Sequence, residues 1–322
     1  MQLSGGLSSW FFKTFAGFTS RINTAQKNLR LAFSDKTEQE IKQLSRETFH
    51  SVGLALSELL HMRTVWEQRD QRLEFSVAQE SEEVLGGDRP IVFVTAHTQA
   101  WQFTNFLAAR FNLRVSIIYA PESNPYLREF FLKLRNAFPS RLVSRDGGIR
   151  TLARELKNGH SIGLAVDTRL DGAEMIPLFG IEAPTNTTPA RLALRYQCAL
   201  IPVHVRRLPD YRYQICVDKP ILPDNPAASS AEQAIDMTCQ LNRKFEQWIR
   251  EAPGQWICLK RRWPKEAYSQ KLKAYRPDND NTQDPHQTMK YTKDSNKSIP
   301  SAQVTTAIVE ARKAEQTISF GK

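Results

Sequence analysis

Between Pro90 and Arg207, short runs of β-branched and aromatic residues alternate with segments whose apolar residues recur at helical spacing. Few folds accommodate that alternation, because each strand must be followed by a helix that covers the sheet it joins. The pattern predicts strands over about 90–96, 114–119, 141–144 and 161–167, with helices over 100–110, 125–137 and 148–157 between them. A helix over 188–197 leads into a strand over 199–206. A turn at Leu208-Pro-Asp-Tyr211 then gives a partner strand over 211–218, expected as an antiparallel hairpin at one edge. A long helix over 229–251 closes the series. Upstream, about 35–67 reads as helical, with Thr37 and Glu40 at capping-box spacing. The fold class is therefore α/β, a mixed and largely parallel central sheet flanked by helices.

The first strand delivers a titratable side chain. Pro90-Ile-Val-Phe-Val-Thr-Ala96 runs directly into His97, and Trp101 opens a helical-looking stretch four residues later. In open α/β sheets the C-terminal edge of the strands is where ligands bind, and histidine is the side chain most easily tuned for proton transfer near neutral pH. On spacing alone, a catalytic base and a satisfied histidine in a strand-to-helix turn are equally compatible. The remaining histidines lack this context: His160 precedes a strand at the opposite edge, His204 lies inside one, and His50 and His61 belong to the upstream helical region. No G-x-S-x-G elbow and no Gly-rich phosphate loop occurs, so neither an acyl-serine mechanism nor nucleotide binding has local support.

Several further stretches occur in a fixed order: Tyr119-Ala-Pro-Glu-Ser-Asn-Pro-Tyr126, Arg145-Asp-Gly-Gly148, Gly163-Leu-Ala-Val-Asp167 and Pro177-Leu-Phe-Gly180. The last is Trp248-Ile-Arg-Glu-Ala-Pro-Gly-Gln-Trp256-Ile-Cys-Leu-Lys-Arg-Arg-Trp263. Together with His97 and Trp101, over roughly residues 25–265, they resemble the lipid A biosynthesis (late) acyltransferases, relatives of the glycerophosphate and lysophospholipid acyltransferases. The resemblance implies a glycerolipid acyltransferase-like fold and direct acyl transfer, with no covalent intermediate, no metal and no cofactor. It also implies partners: acyl carrier protein or acyl-CoA as donor, and a phosphorylated glycolipid or lysolipid as acceptor. The implied location is the cytoplasmic face of a bacterial inner membrane, peripherally held on its anionic surface.

Two departures from the family pattern remove charge. Gln102 stands where the family has a carboxylate after the histidine, and Ala120 where it usually has an arginine. A carboxylate orients an imidazole and stabilises the imidazolium, whereas a neutral amide only holds the ring; the comparable loss in a serine-protease triad costs about 10⁴ in turnover. His97, Gln102 and Asp167 are the candidate catalytic residues, with Gln102 expected to orient His97. Asp167 has two readings, a substitute for the missing carboxylate or a cap for the following turn. Two functions follow, a working acyltransferase or a catalytically impaired homologue that binds lipid or acyl carrier protein.

The net charge of +10 directs attention to basic residues near the expected site. Arg145, Arg150, Arg191 and Arg195 are candidate substrate-binding residues within a basic rim that also takes in Arg154, Arg206, Arg207, Lys260, Arg261 and Arg262. Arg191 and Arg195 share one helix face. Thr188 as N-cap, with Pro189 in the first turn, would offer free backbone N–H groups to a phosphate. Nucleic acid would also satisfy the charge, but no nucleic-acid-binding motif accompanies it. Cys198, Cys216, Cys239 and Cys258 are widely spaced, without C-x-x-C pairs or histidines at ligand spacing, and read as reduced thiols rather than a zinc site.

Three segments are expected. Residues 1–24 carry five aromatics between Trp10 and Phe18, followed by Arg21, and read as a short membrane-interfacial segment, or alternatively as a helix packed on the core. Residues 25–266 form the α/β acyltransferase domain. Residues 267–322 are polar and proline-broken, a disordered extension. No run reaches the length of a transmembrane span.

Overall fold

The computed structural model describes residues 20–121, 124–135, 140–145 and 147–274. The aromatic N-terminal stretch and the extension from residue 275 onward lie outside them. Strands are β1 (Leu73–Val77), β2 (Ile91–Thr95), β3 (Val115–Tyr119), β4 (Arg141–Ser144), β5 (Ser161–Ala165), β6 (Met175–Leu178), β7 (Ile181–Pro184), β8 (Ala199–Leu208) and β9 (Arg212–Val217). Seven form one sheet in the order β1-β9-β8-β2-β5-β3-β4. Every neighbouring pair is parallel except β8 with β9, and β6 and β7 make a separate antiparallel ribbon.

β2 is central because its sequence allows nothing else. All five residues of Ile-Val-Phe-Val-Thr are buried, as a strand covered on both faces requires. Its period-2 alternation feeds two cores. Val92 and Val94 pack with Leu152, Ile162, Phe245, Trp248, Trp256 and Trp263 on one face, while Ile91 and Phe93 pack with Phe103, Phe106, Ile201 and Tyr213 on the other. Helices Ser20–Ala32, Gly148–Lys157, Thr188–Tyr196 and Ser230–Glu251 bury residues in the first core; helix Met62–Glu67, helix Phe106–Arg110 and the C-terminal part of Glu38–Leu60 serve the second.

Local signals account for most boundaries. Thr37 caps helix Glu38–Leu60 and Glu40 reaches back to it, the full capping box, and Ser229 with Glu232 repeats the device on Ser230–Glu251. Four expectations are corrected. β1 and helix Gln79–Leu85 were not anticipated; because β1 pairs parallel with β9, the β8–β9 hairpin lies one strand in from the edge. The expected helix 100–110 starts as a 3-10 turn, Trp101–Asn105. Helix Thr188–Tyr196 has Thr187, not Thr188, at its N-cap. Helix Lys265–Ala274 continues past the expected domain end, and its Tyr268 hydroxyl is buried, donating to Asn28 at 2.6 Å.

One buried ion pair ties distant elements to the turn after β2. Arg207, on β8, donates to both carboxylate oxygens of Glu58 (2.7 and 2.9 Å), to Ser51 and to Gln255. It also meets the Gln99 backbone carbonyl at 2.8 Å, and its own N–H donates to the Gln99 side chain. Gln99 adopts φ 50°, an unfavourable conformation for a residue with a Cβ that persists only where surroundings enforce it. Removing one partner leaves a buried charge unpaired, so Arg207→Met should cost about 3–5 kcal/mol in urea unfolding. Arg207→Met combined with Glu58→Leu should cost less than Arg207→Met alone; a double variant less stable than the single would contradict this account of the network.

Candidate active site

The chain leaves β2 at Thr95, and His97 follows at the C-terminal edge of the sheet. Two backbone contacts fix it there: the Ile257 N–H donates to the His97 carbonyl (2.8 Å) and the Gln99 N–H to the Gln255 carbonyl (3.0 Å). The Pro253–Cys258 segment therefore backs the histidine turn. β5 pairs parallel with β2, Thr95 opposite Ala165, so equal numbers of residues beyond each strand bring His97 and Asp167 together.

Asp167 Oδ1 accepts from the His97 backbone N–H at 3.0 Å and lies 2.6 Å from Nδ1 of its ring. Oδ2 accepts from the Trp256 indole at 3.1 Å. Asp167 is 4% exposed and His97 30% exposed, so the carboxylate is interior while the imidazole reaches open space. Nδ1–H is held by Asp167, which leaves Nε2 as the available nitrogen. Burial alone would push the imidazole below its usual range, but the charge of Asp167 and its hydrogen bond outweigh burial and leave His97 raised; Lys260 opposes this weakly. For Asp167, burial favours protonation, and His97 together with the backbone and indole donors overcomes it, holding the carboxyl below its ordinary value.

His97, Trp101 and Gln102 line a cavity of about 270 Å³ that extends down the sheet face. Its walls are mostly apolar, including Leu59, Phe93, Leu107, Val115, Ile117, Leu142 and Val203, with Gly163 and Ala165 contributing no bulk from β5. The Trp101 ring packs beside His97, centroids 5.4 Å apart. Gln102 Oε1, expected to orient His97, is buried with no hydrogen-bond partner among the described residues, and it is Asp167 that holds the ring, through Nδ1. Ala120 lies on the same wall, and Arg135, stacked on the Tyr119 ring at 5.8 Å, brings a guanidinium to it. Such a site combines a charge-supported base with an apolar slot.

The expected basic rim divides. Arg145 and Arg150 are exposed at the start of helix Gly148–Lys157, where Gly147 adopts φ 71°. Arg195 is exposed, its guanidinium over the Tyr196 ring. None of these, nor Thr188 or Arg191, lines the cavity. Arg191 is bound to Glu174 and to the Thr187 hydroxyl. Around the same helix start the Thr188 N–H is taken by Asn186, the Arg191 N–H by the Thr187 carbonyl, and Pro189 has none, so most of the expected phosphate cradle is already satisfied. Arg206 pairs with Glu251, Arg207 with Glu58, and Arg262 is buried against Pro184 and Thr185. Sequence reasoning missed the roles of Trp256, Arg207, Glu58, Gln255 and Arg135. Trp256 and Gln255 lie in the tryptophan-bracketed C-terminal stretch and Arg207 in the expected basic rim, whereas nothing in the sequence singles out Glu58 or Arg135. Among the described residues, no cluster of three or more His, Cys, Asp or Glu side chains has metal-binding geometry.

The profile of the bacterial lipid A biosynthesis acyltransferase family matches residues 4–265. The chain is 27% identical over 255 residues to the lipid A biosynthesis lauroyltransferase of Escherichia coli K12, covering 76% of this chain and 79% of that protein. It is 21% identical over 269 residues to the lipid A biosynthesis acyltransferase of Haemophilus influenzae, covering 80% and 79%. Among solved structures, it overlaps the 1-acyl-sn-glycerophosphate acyltransferase PlsC of Thermotoga maritima with a TM-score of 0.35 and 13% identity, over 77% of this chain and 98% of that one.

The Asp167 contacts fix the sign of the pH dependence. His97, raised in the folded state, contributes stability that is fully present below about pH 6.5 and lost as pH rises through its folded pKa. Asp167, lowered, contributes stability present above about pH 3.9 and lost as pH falls through its folded value. NMR titration of the His97 ring should give a midpoint above about 6.5, and Asp167→Asn should bring it below that value by leaving burial unopposed. An unchanged midpoint in Asp167→Asn would refute the pairing.

Proposed function

The chain belongs to the bacterial lipid A biosynthesis acyltransferase family, and on that premise we propose that it moves a fatty acyl chain from a carrier thioester to a hydroxyl of a lipid A precursor. The observation that carries the reading is the Asp167–His97 pair at the mouth of an apolar cavity. His97 Nε2 removes the acceptor hydroxyl proton as the oxygen attacks the thioester carbonyl. Asp167 stabilises the imidazolium that forms. Collapse of the intermediate breaks the C–S bond, and the proton on His97 passes to the departing thiolate. An acyl chain occupies the cavity, where apolar burial is worth about 0.8 kcal/mol per methylene.

Gln102 alone would favour the impaired-homologue reading, since the family carboxylate is gone. Asp167 supplies a negative partner to the same imidazole from the neighbouring strand, and this favours catalysis. Arg135 supports the reading in the same way, by bringing a positive charge to the wall on which Ala120 has replaced the family arginine. The finer identities are those the family resemblance implies: acyl carrier protein or acyl-CoA as donor, a phosphorylated glycolipid or lysolipid as acceptor, and peripheral attachment at the cytoplasmic face of the inner membrane. No helix of the described residues is long and apolar enough to cross a membrane.

Transfer from radiolabelled acyl carrier protein to a deacylated lipid A precursor tests the proposal. His97→Ala should lower turnover at least about 10³-fold, and a variant retaining wild-type turnover would end the base assignment. Gln102→Glu places a second carboxylate near a histidine that already has one, so the acidic limb of the pH–rate profile should move to higher pH and the rate at pH 7 should fall. In an Asp167→Asn background the same change restores a single charge and should raise turnover. Failure of that rescue, with the protein folded, would mean that Gln102 does not sit within electrostatic reach of the imidazole.

A further inference from the structure

A second polar cluster lies at the opposite edge of the sheet from His97. Arg114 precedes β3, Arg141 opens β4 and His160 precedes β5. These are three adjacent parallel strands, so the three side chains gather at their N-terminal ends. Glu155, on helix Gly148–Lys157 and 4% exposed, organises them. It accepts from Arg141 at 2.7 Å and from the Ser116 hydroxyl at 3.2 Å, and lies 3.0 Å from Nδ1 of His160. The carboxylate thereby holds Nδ1–H, and Nε2 turns its lone pair to the Arg114 guanidinium, 3.5 Å away. One buried carboxylate thus orients two arginines, Arg141 directly and Arg114 through the imidazole.

This cluster borders a cavity of about 630 Å³, a volume typical of small-molecule sites. Ala108, Ala109, Leu113 and Val115 give the cavity an apolar wall. Among the described residues Arg114 has no carboxylate partner, and Arg141 shares its one carboxylate with His160. Two guanidinium groups therefore face a single carboxylate, an excess of positive charge that suits a monoanion, whereas Glu155 would repel a dianion more strongly. Ala108 and Val115 also line the cavity beside His97, so the two spaces share a wall.

We propose that this second cavity binds a free fatty acid, its carboxylate between Arg114 and Arg141 and its alkyl chain along the apolar wall, and that occupancy lowers acyl transfer. A planar carboxylate matches the guanidinium fork, and the alkyl chain gains from burial against Ala109 and Leu113. A chain seated there presses on Ala108 and Val115 and narrows the space beside His97. Hydrolysis of an acyl thioester by water yields such a carboxylate and a thiol, so the site would sense wasted donor. The effect on transfer rests on the acyltransferase reading; the binding does not.

Decanoate, decan-1-ol and inorganic phosphate, titrated separately into the full-length protein, test the site by calorimetry and by NMR of the His97 and His160 rings. Decanoate should bind at least about tenfold more tightly than either of the others and should move the His160 signals. Arg114→Gln removes one guanidinium at an exposed position, and Ala109→Phe fills this cavity alone. Each variant, its fold checked by circular dichroism, should bind decanoate at least about tenfold more weakly. Unchanged affinity in either variant, or movement of the His97 signals alone, overturns the proposal, as does equally tight binding of decan-1-ol or phosphate. In the transfer assay decanoate should inhibit the unaltered protein, while Arg114→Gln should keep basal turnover and lose the inhibition. Inhibition that is absent, or equal in the two proteins, contradicts the coupling. Binding as expected without turnover in the unaltered protein counts against the acyltransferase reading alone.

Discussion

The site rests on one buried carboxylate. Asp167 is 4% exposed, and a charge so placed survives only if its lone pairs are satisfied. Three donors meet it: the His97 backbone N–H, the His97 ring and the Trp256 indole. They come from the turn after β2 and from the segment that follows helix Ser230–Glu251, so the carboxylate joins the sheet centre to the C-terminal stretch. The same contacts hold it ionised and hold the imidazole by Nδ1, so under the proposed mechanism one set of hydrogen bonds serves both folding and proton transfer.

A second buried charge does the equivalent work behind the site. Arg207 and Glu58 bring together β8, the end of helix Glu38–Leu60, the Gln99 turn and Gln255. Gln99 keeps its left-handed backbone because Arg207 engages its side chain and carbonyl while the Gln255 carbonyl takes its N–H. The histidine turn is thus fixed by Asp167 in front and by Arg207 behind. The substitution of Gln102 for the family carboxylate is then tolerable chemically, because the imidazole already has its anion from the adjacent strand.

Much of this was legible in the chain itself, for identifiable reasons. The continuous apolar run of β2 and the capping box of Thr37 and Glu40 are local signals, and each lies where the sequence placed it. His97 at the strand end follows from the same logic. β1 escaped because Leu73–Val77 alternates half-buried with exposed residues and lies at the edge, where burial leaves a weak mark. The division of the arginines escaped because the partners lie far apart in sequence: Glu58 is 149 residues from Arg207, and nothing near Arg262 announces Pro184 and Thr185. Asp167 fell between these cases. Its place at a strand end was readable, but its choice of His97 over a local turn depends on β5 lying beside β2, which only the strand order supplies.

The claim that Asp167 has become the partner of the catalytic histidine is tested most directly by a double-mutant cycle on acyl transfer. His97→Ala, Asp167→Asn and the double variant are assayed at saturating donor, with folding checked by circular dichroism. Residues that act as one unit are strongly non-additive, so the double variant should be no slower than His97→Ala. A double variant slower than His97→Ala by the full factor that Asp167→Asn costs on its own would show that Asp167 acts independently of the imidazole, and would contradict the account.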